Sequence, residues 1–280
     1  MLIHKIGKRH GLLWGLCAAA VIGFALPAAA ADLTITGSGN PEYVLGRLAA
    51  AFSAAQTLHR VTIPPSSGTA GALRDVEAGT TSMGRVGRPL KDSERSKGLV
   101  YVPLGRDLVA FAGGAGVTAR NISVQQVLDV YTGKITDWRD LGGKPAPVRA
   151  VGREVSDASR VAVSQVIPAF EKLVFADNVK LVHLDPQLIE LVDRYPSSLC
   201  FLNLSALKAA KSPVVPLALD GVAPTLENLA AGRYPLWLEF GLVHRTGGAD
   251  AAGQAFIAFI RSAAGAAILR EHGVMPWNAG

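Results

Sequence analysis

Short apolar runs alternate with amphipathic stretches along the chain. Leu33–Thr36 and Val61–Ile63 have the length and β-branched content of strands, and each is followed by a helical pattern. Pro41 occupies the predicted first position of the first helix, and a second helix is predicted from about Ala70 to Ala78. The first helix has one apolar face, which consists of Val44, Leu45, Leu48, Phe52 and Ala55. This alternation predicts an α/β protein.

The same alternation continues through the second half. Two apolar bursts between Tyr101 and Ala112 end at Gly113-Gly114, where we expect the chain to cross between lobes. Ser123 caps the next predicted helix, with Gln126 three residues later in a capping box. A strand at Val148–Val151 then leads through a polar loop into another helix.

The first 31 residues have the order of a secretory signal peptide. Lys5, Lys8 and Arg9 precede an apolar run from Gly11 to Leu26, which ends in small residues up to Ala31. A retained membrane anchor is the alternative, but the apolar run falls short of the roughly 20 residues that a spanning helix needs. We therefore expect residues 1–31 to be removed and the mature protein to lie in the periplasm.

Charge and cysteine content exclude two classes of function. Loss of the three basic residues of the leader reduces the formal net charge of +6 to about +3, which is too small to indicate nucleic-acid binding. Only Cys200 remains after processing, so neither an intrachain disulfide nor a cysteine-based metal cluster is expected.

Small polar residues follow three of the predicted strands. They are Ser38-Gly39-Asn40, Ser66–Gly71 and the loop from Gly152 to Arg160. Uncovered N–H groups at a helix start, beside the positive end of the helix dipole, can bind an anion, although an ordinary N-cap gives the same pattern. Arg85 and Arg88 either serve an anion or are merely solvated, and the residues alone do not decide between these.

Several longer segments resemble one family. They are Ser66–Thr69, Gly87-Arg88-Pro89-Leu90, Val130–Trp138 with Leu141-Gly142-Gly143, Asp220–Asn228, Gly232–Trp237 and the ending Gly273–Pro276. In this order and spacing they are similar to the PstS-like phosphate-binding proteins of ABC transporters. The resemblance covers essentially the whole mature chain.

The resemblance implies a type II periplasmic binding-protein fold. Such a fold has two α/β lobes, each a mixed sheet flanked by helices, joined by two crossing strands with the ligand between them. We assign residues 32–112 with 237–280 to lobe I and residues 113–236 to lobe II, and we expect the crossings near Val109–Gly113 and Trp237–Val243.

The resemblance also implies a ligand and its contacts. The expected ligand is inorganic phosphate or a similar oxyanion, passed to an ABC transporter permease by a monomeric protein without a cofactor, metal ion or nucleic acid. The residues carried over, with Arg88 added from the Pro-Leu turn, are Ser38, Gly39, Asn40, Ser67, Gly68, Thr69, Arg88, Arg153, Ser156, Asp157 and Ser159.

Two departures from the family pattern concern the ligand. Gly87 stands where many members have Asp or Ser, and Ser156-Asp157-Ala158-Ser159 replaces Gly-Ser-Gly-Thr. Asp157 either accepts the proton of a phosphate or repels the anion. A different anion therefore stays open, as does a secreted domain that has lost transport and acts as a sensor or protein-interaction module.

The histidines give no indication of an enzyme. His59, His183, His244 and His272 lie in unlike contexts, with neither metal-ligand spacing nor a serine-elbow pattern near them. We therefore expect a binding protein.

Overall fold

The computed structural model describes residues 1–2, 31–56 and 58–277. The predicted signal peptide, residues 1–31, lies outside the described residues except for Met1, Leu2 and Ala31. The described chain is a mixed α/β fold with one large sheet flanked by helices, which confirms the predicted fold class.

Helices and strands alternate through most of the chain. The strands are β1 Ala31–Gly37, β2 His59–Thr62, β3 Met83–Val86, β4 Leu99–Gly113, β5 Asn121–Ile122, β6 Arg149–Arg153, β7 Lys180–Val182, β8 Ser198–Asn203, β9 Val215–Pro216, β10 Ala218–Leu219, β11 Trp237–Arg245 and β12 Val274–Pro276. The helices are α1 Glu42–Ala55, α2 Gly68–Ala78, α3 Asp92–Arg95, α4 Val124–Tyr131, α5 Ala158–Val166, α6 Pro168–Glu171, α7 Asp185–Arg194, α8 Leu204–Ala210, α9 Leu226–Ala230, α10 Ala251–Arg261 and α11 Ala263–Glu271.

The strand and helix patterns in the sequence correspond to burial in the structure. Leu33 and Ile35, on one face of β1, are both buried against α1 and its neighbours. Helix α2 begins at Gly68, two residues before the predicted start. Gly68 has a φ of +74°, a left-handed conformation that glycine adopts without strain.

The main sheet runs through both lobes. Its strands follow the order β2-β1-β3-β11-β4-β8-β6-β7, and β4 also pairs with β12 at its middle and with β9 at its carboxyl end. Strands β1, β2 and β3 are parallel, as are β6, β7 and β8. The loops after β1 and β6 therefore leave the carboxyl ends of parallel strands, where α/β proteins bind ligands.

Strand β4 is the long element that connects the two halves. Up to Leu108 it pairs with β11, and from Val109 it pairs with β8. β11 lies antiparallel between β3 and β4, and its register with β4 shifts between Phe240 and Gly241. The names lobe I and lobe II are kept below for the predicted ranges, whose boundaries stay a prediction.

Within the described residues, no single helix is both long and apolar enough to cross a membrane. The consecutive helices α10 and α11 satisfy length and composition only as a pair, and they are bent by 66° at their break.

Candidate functional site

A cleft of about 1010 Å³ lies between the predicted lobes. The loop after β1, the start of α2 and the turn after β3 line one side. The end of β6, the start of α5 and the start of α7 line the other, with Trp237 and Glu239 from β11 beside them. The cleft thus brings together loops that are far apart in the sequence.

The two lobe I helices begin at the cleft without side-chain caps. Neither Pro41, before α1, nor Ser67, before α2, caps its helix with a side chain. Within the described residues, the backbone N–H groups of Tyr43, Thr69 and Ala70 have no hydrogen-bond acceptor. All three residues line the cleft. These N–H groups, with the dipoles of two helices behind them, form a site suited to an anion.

Arg85 holds the lobe I loops in place. Its guanidinium is fully buried and donates to the carbonyl oxygens of Ile35, Ser38 and Pro64. It also pairs with Glu42 at 3.1 Å, while burial raises the pKa of the Glu42 carboxyl. The interpretation of Arg85 as a solvated side chain is therefore wrong, because its charge stays inside the protein and fixes the loops that carry Ser38 and Ser66.

Arg153 lies at the end of β6 and forms two buried ion pairs. Its Nη1 donates to Asp185 Oδ1 at 2.5 Å, and its Nη2 donates to Asp157 Oδ2 at 2.6 Å and to the carbonyl oxygen of His183 at 3.2 Å. Arg153 is 4 % exposed and Asp185 3 % exposed. Of its donor groups, Nε has no partner within the described structure. The triad Arg153–Asp157–Asp185 therefore carries two carboxylates for one guanidinium.

Asp157 also caps helix α5. Its Oδ1 accepts the N–H groups of Ser159 at 3.0 Å and Arg160 at 3.1 Å. Burial raises the pKa of the Asp157 carboxyl to about 6, because Arg153 offsets only part of the cost of keeping two carboxylates out of water. The lobe II helix start is thus occupied by a carboxylate, in contrast to the uncapped starts in lobe I.

A buried network connects the lobes beside this triad. Asn40 Nδ2 donates to Ser159 Oγ at 3.1 Å across the cleft and to Asn203 Oδ1 at 3.3 Å. Asn203 Nδ2 donates to Asp107 Oδ2 at 2.9 Å, and Ser205 donates to the same carboxylate from its N–H and its hydroxyl. Burial raises the pKa of Asp107 to about 7, although these hydrogen bonds lower it in part.

Gly87 lies between residues of the two predicted lobes. A Cβ atom at this position would lie 2.8 Å from Ser38 Oγ and 3.4 Å from the Cβ of Ala158, which belongs to lobe II. The absent side chain therefore leaves room for the start of α5 beside the loop after β1.

The predicted site residues all lie in or beside the cleft, but they differ in burial and in hydrogen-bond partners. Those that line it are Ser38, Gly39, Asn40, Gly68, Thr69, Arg88, Arg153, Ser156 and Asp157. Ser67 and Ser159 lie beside it, and Ser159 is buried in its bond to Asn40. Arg88 pairs with Glu94 at 2.8 Å, and this hydrogen bond lowers the pKa of Glu94 to about 2. Their roles in binding stay predictions.

Sequence reasoning missed Asp185, Glu42 and Asn203. Asp185 begins a helix 32 residues after its partner Arg153, and Pro186 behind it is the only local signal, that of a helix start. Glu42 is an acidic residue in the first turn of α1. Such residues are common because they interact favourably with the helix dipole, so its position alone does not indicate a role in the cleft. Nothing near Asn203 in the sequence distinguishes it from a surface cap.

A family model described as the PBP superfamily domain matches residues 25–264. The chain belongs to the PBP superfamily. This match includes the residues on both sides of the cleft.

Relatives of this PBP superfamily member carry phosphate in their names. The phosphate-binding protein PstS of Bacillus subtilis is 28% identical over 215 residues, which are 75% of this chain and 68% of that protein. The phosphate-binding protein PstS of Borreliella burgdorferi is 21% identical over 194 residues, or 67% of this chain and 70% of that protein.

Solved structures agree on the fold. A Clostridium perfringens protein, provisionally described as a phosphate ABC transporter substrate-binding protein with bound phosphate, has a TM-score of 0.77 and 25% identity. The alignment covers 89% of this chain and 100% of that one. An ABC-type phosphate transport receptor from Vibrio cholerae has a TM-score of 0.63 at 22% identity, over 87% and 99% of the two chains.

Proposed function

We propose that this PBP superfamily protein captures a small oxyanion, phosphate, in the cleft between its lobes and delivers it to an ABC transporter permease. The observation that carries the proposal is the pair of helix starts without side-chain caps, α1 and α2, where residues that line the cleft have N–H groups without an acceptor in the described structure. The names of the relatives and of the Clostridium perfringens structure support phosphate as the ligand.

The geometry favours binding over catalysis. The N–H groups of Tyr43, Thr69 and Ala70 are neutral donors that bind an anion without adding a mobile charge. Within the described ranges, no group of three His, Cys, Asp or Glu side chains could hold a metal ion. We propose a non-enzymatic protein that acts in the periplasm after its leader is removed, as the order of basic, apolar and small residues in the first 31 positions favours.

A proline placed at Ala70 tests the lobe I site directly. Ala70→Pro removes one N–H that has no acceptor within the described protein, and the first turn of a helix tolerates proline. If this N–H donates to phosphate, calorimetry on the mature protein should show affinity reduced on the order of 10- to 100-fold, the effect of one hydrogen bond to a charged group.

The matched control is Ala264→Pro. Ala264 is exposed in the first turn of α11, away from the residues that line the cleft. This variant should bind phosphate with the affinity of the wild type. It also shows how much a proline in the first turn of a helix lowers the stability of the protein. Equal affinities for both variants and the wild type would place the anion elsewhere, and no binding of phosphate to the wild type would refute phosphate as the ligand.

A further inference from the structure

Asp157 meets the same donors that an anion bound at lobe II would use. One oxygen accepts two N–H groups at the start of α5, and the other accepts the Nη2 of Arg153. A tetrahedral oxyanion at a helix start beside an arginine would use this set of donors. In this chain, therefore, the lobe II half of the cleft already holds a negative charge, covalently attached to the protein.

The charges around Arg153 also oppose the binding of an anion at lobe II. Arg153 faces two carboxylates, so the triad has a net charge of −1 when both are ionised. An anion that approached Arg153 would meet a guanidinium whose two Nη atoms are already bonded. It would also meet like charge in a place where water screens little.

Lobe I differs in its helix starts and in its ratio of carboxylates to guanidinium groups. The starts of α1 and α2 carry no side-chain cap, and the one buried guanidinium behind them, Arg85, is paired with Glu42. An anion can therefore bind at lobe I without displacing a protein group. Asp157, however, lines the opposite side of the same cleft, where its charge opposes that of the anion's own oxygens.

We propose that Asp157 is an internal competitor for the anion: it fills the lobe II half-site, weakens oxyanion binding, and must be neutralised or displaced before the anion can contact Arg153. This inference rests on the proposed function, since it concerns the same cleft. It makes Asp157 the residue that sets the affinity and its dependence on pH.

Other charges in the cleft bear on the pH dependence. Arg153 contacts Asp157 from β6, Asp185 lies across the guanidinium on α7, and Arg160 is on the same helix as Asp157. The remaining titratable and charged groups that line the cleft are Glu42, Tyr43, Arg88, Lys91, Glu154, His183 and Glu239. Asp185 pairs with Arg153 as directly as Asp157 does, but Asp157 also accepts the N–H groups at the start of α5. Its proton uptake therefore acts on both sets of donors in the lobe II half of the cleft.

The test compares Asp157→Ser and Asp157→Asn with the wild type by calorimetry with inorganic phosphate. Serine reproduces the residue of the Gly-Ser-Gly-Thr pattern, and asparagine keeps an oxygen that can cap α5 if serine impairs folding. Both should tighten phosphate binding on the order of 10- to 100-fold at pH 7.5, because a charge-assisted bond to Arg153 replaces a repulsion.

Glu154→Gln is the matched control. Glu154 belongs to the same loop and lines the same cleft, but it is exposed and pairs with His183 at 3.1 Å and not with Arg153. It removes the same formal charge without freeing the guanidinium. An equal gain in this variant would show general electrostatics and would overturn the assignment to Asp157.

A second readout measures protons. Calorimetry in two buffers of different ionisation enthalpy gives the number of protons taken up on binding, and the difference between wild type and Asp157→Asn cancels the titration of phosphate itself. The wild type should take up more protons than the variant at pH 7.5, and the affinity gain of the variant should shrink as the pH is lowered toward 5, where Asp157 becomes protonated.

Three results are distinguishable. Tighter binding by both Asp157 variants, with extra proton uptake in the wild type, supports the inference. Weaker or unchanged binding by these variants, with a wild type that binds phosphate, overturns it and leaves the proposed function standing. Absence of binding by the wild type and all variants at millimolar phosphate refutes both.

Discussion

Replacing Arg153 with methionine is expected to lower the free energy of unfolding by on the order of 3–5 kcal/mol. Asp157 and Asp185, which share this guanidinium, would both stay buried without a counterion. Urea unfolding followed by circular dichroism at pH 7.5 measures the loss. Asp157→Asn and Asp185→Asn, added together to the methionine variant, should recover most of it, since neutral groups that replace a complete buried ionic cluster cost little.

Arg88→Met is the control for this prediction. Arg88 also pairs with a carboxylate, that of Glu94, but its side chain is 37% exposed, and such a pair contributes no more than about 1 kcal/mol. A loss for Arg153→Met no larger than that for Arg88→Met would mean that the triad is hydrated and not a buried ionic cluster. The inference about Asp157 would then lose its physical basis.

The second large effect concerns pH and Asp107. Burial raises the pKa of this carboxyl from 3.8 to about 7 in the folded protein, so between these values the folded state holds a proton that the unfolded state has released. Its contribution to stability is therefore complete below about pH 4 and is lost as the pH rises to about 7. The loss is on the order of 4 kcal/mol at 1.36 kcal/mol per pKa unit.

Asp107→Asn should remove this pH dependence. Asparagine keeps an oxygen for the N–H of Ser205 but sets an amide against the amide of Asn203, so the variant should be less stable than the wild type at pH 4. The stability difference should then narrow between pH 4 and pH 7 in urea unfolding series. Asp140→Asn, at an exposed carboxyl, is the control, and a constant difference for Asp107→Asn would contradict the prediction.

The sequence predicted the fold because the signals for it are local. The alternation of Leu33 and Ile35, the apolar face of α1 and the Ser123 capping box each act within a few residues. The structure forms all three, except that Ala55, which was predicted on the apolar face of α1, is exposed. The start of α2 was predicted two residues late, because a glycine at this point of the sequence is typical of a turn. In the structure Gly68 has a left-handed φ and is nevertheless the first residue of the helix.

The candidate site was predicted in position but not in pairing. Asp157 lies in the loop after β6, as the pattern indicates, whereas Arg153 is the last residue of that strand, which ends two residues later than predicted. Whether Arg153 is free or paired depends on Asp185, and no local pattern relates two residues 32 positions apart. Arg85 shows the same limit, since its three carbonyl acceptors lie in β1, in the loop after β1 and in the loop after β2.

The hydrogen bond from Asn40 to Ser159 has a kinetic consequence. It joins the two sides of a cleft that a ligand must enter, so we expect capture to require a state of the protein in which this bond is broken. At low ligand concentration, the frequency of encounters with the ligand sets the observed association rate. At high ligand concentration, we expect this rate to level off at the rate constant with which the bond between Asn40 and Ser159 breaks. Stopped-flow association traces of an Asn40→Ala variant should therefore level off at a faster rate than those of the wild type.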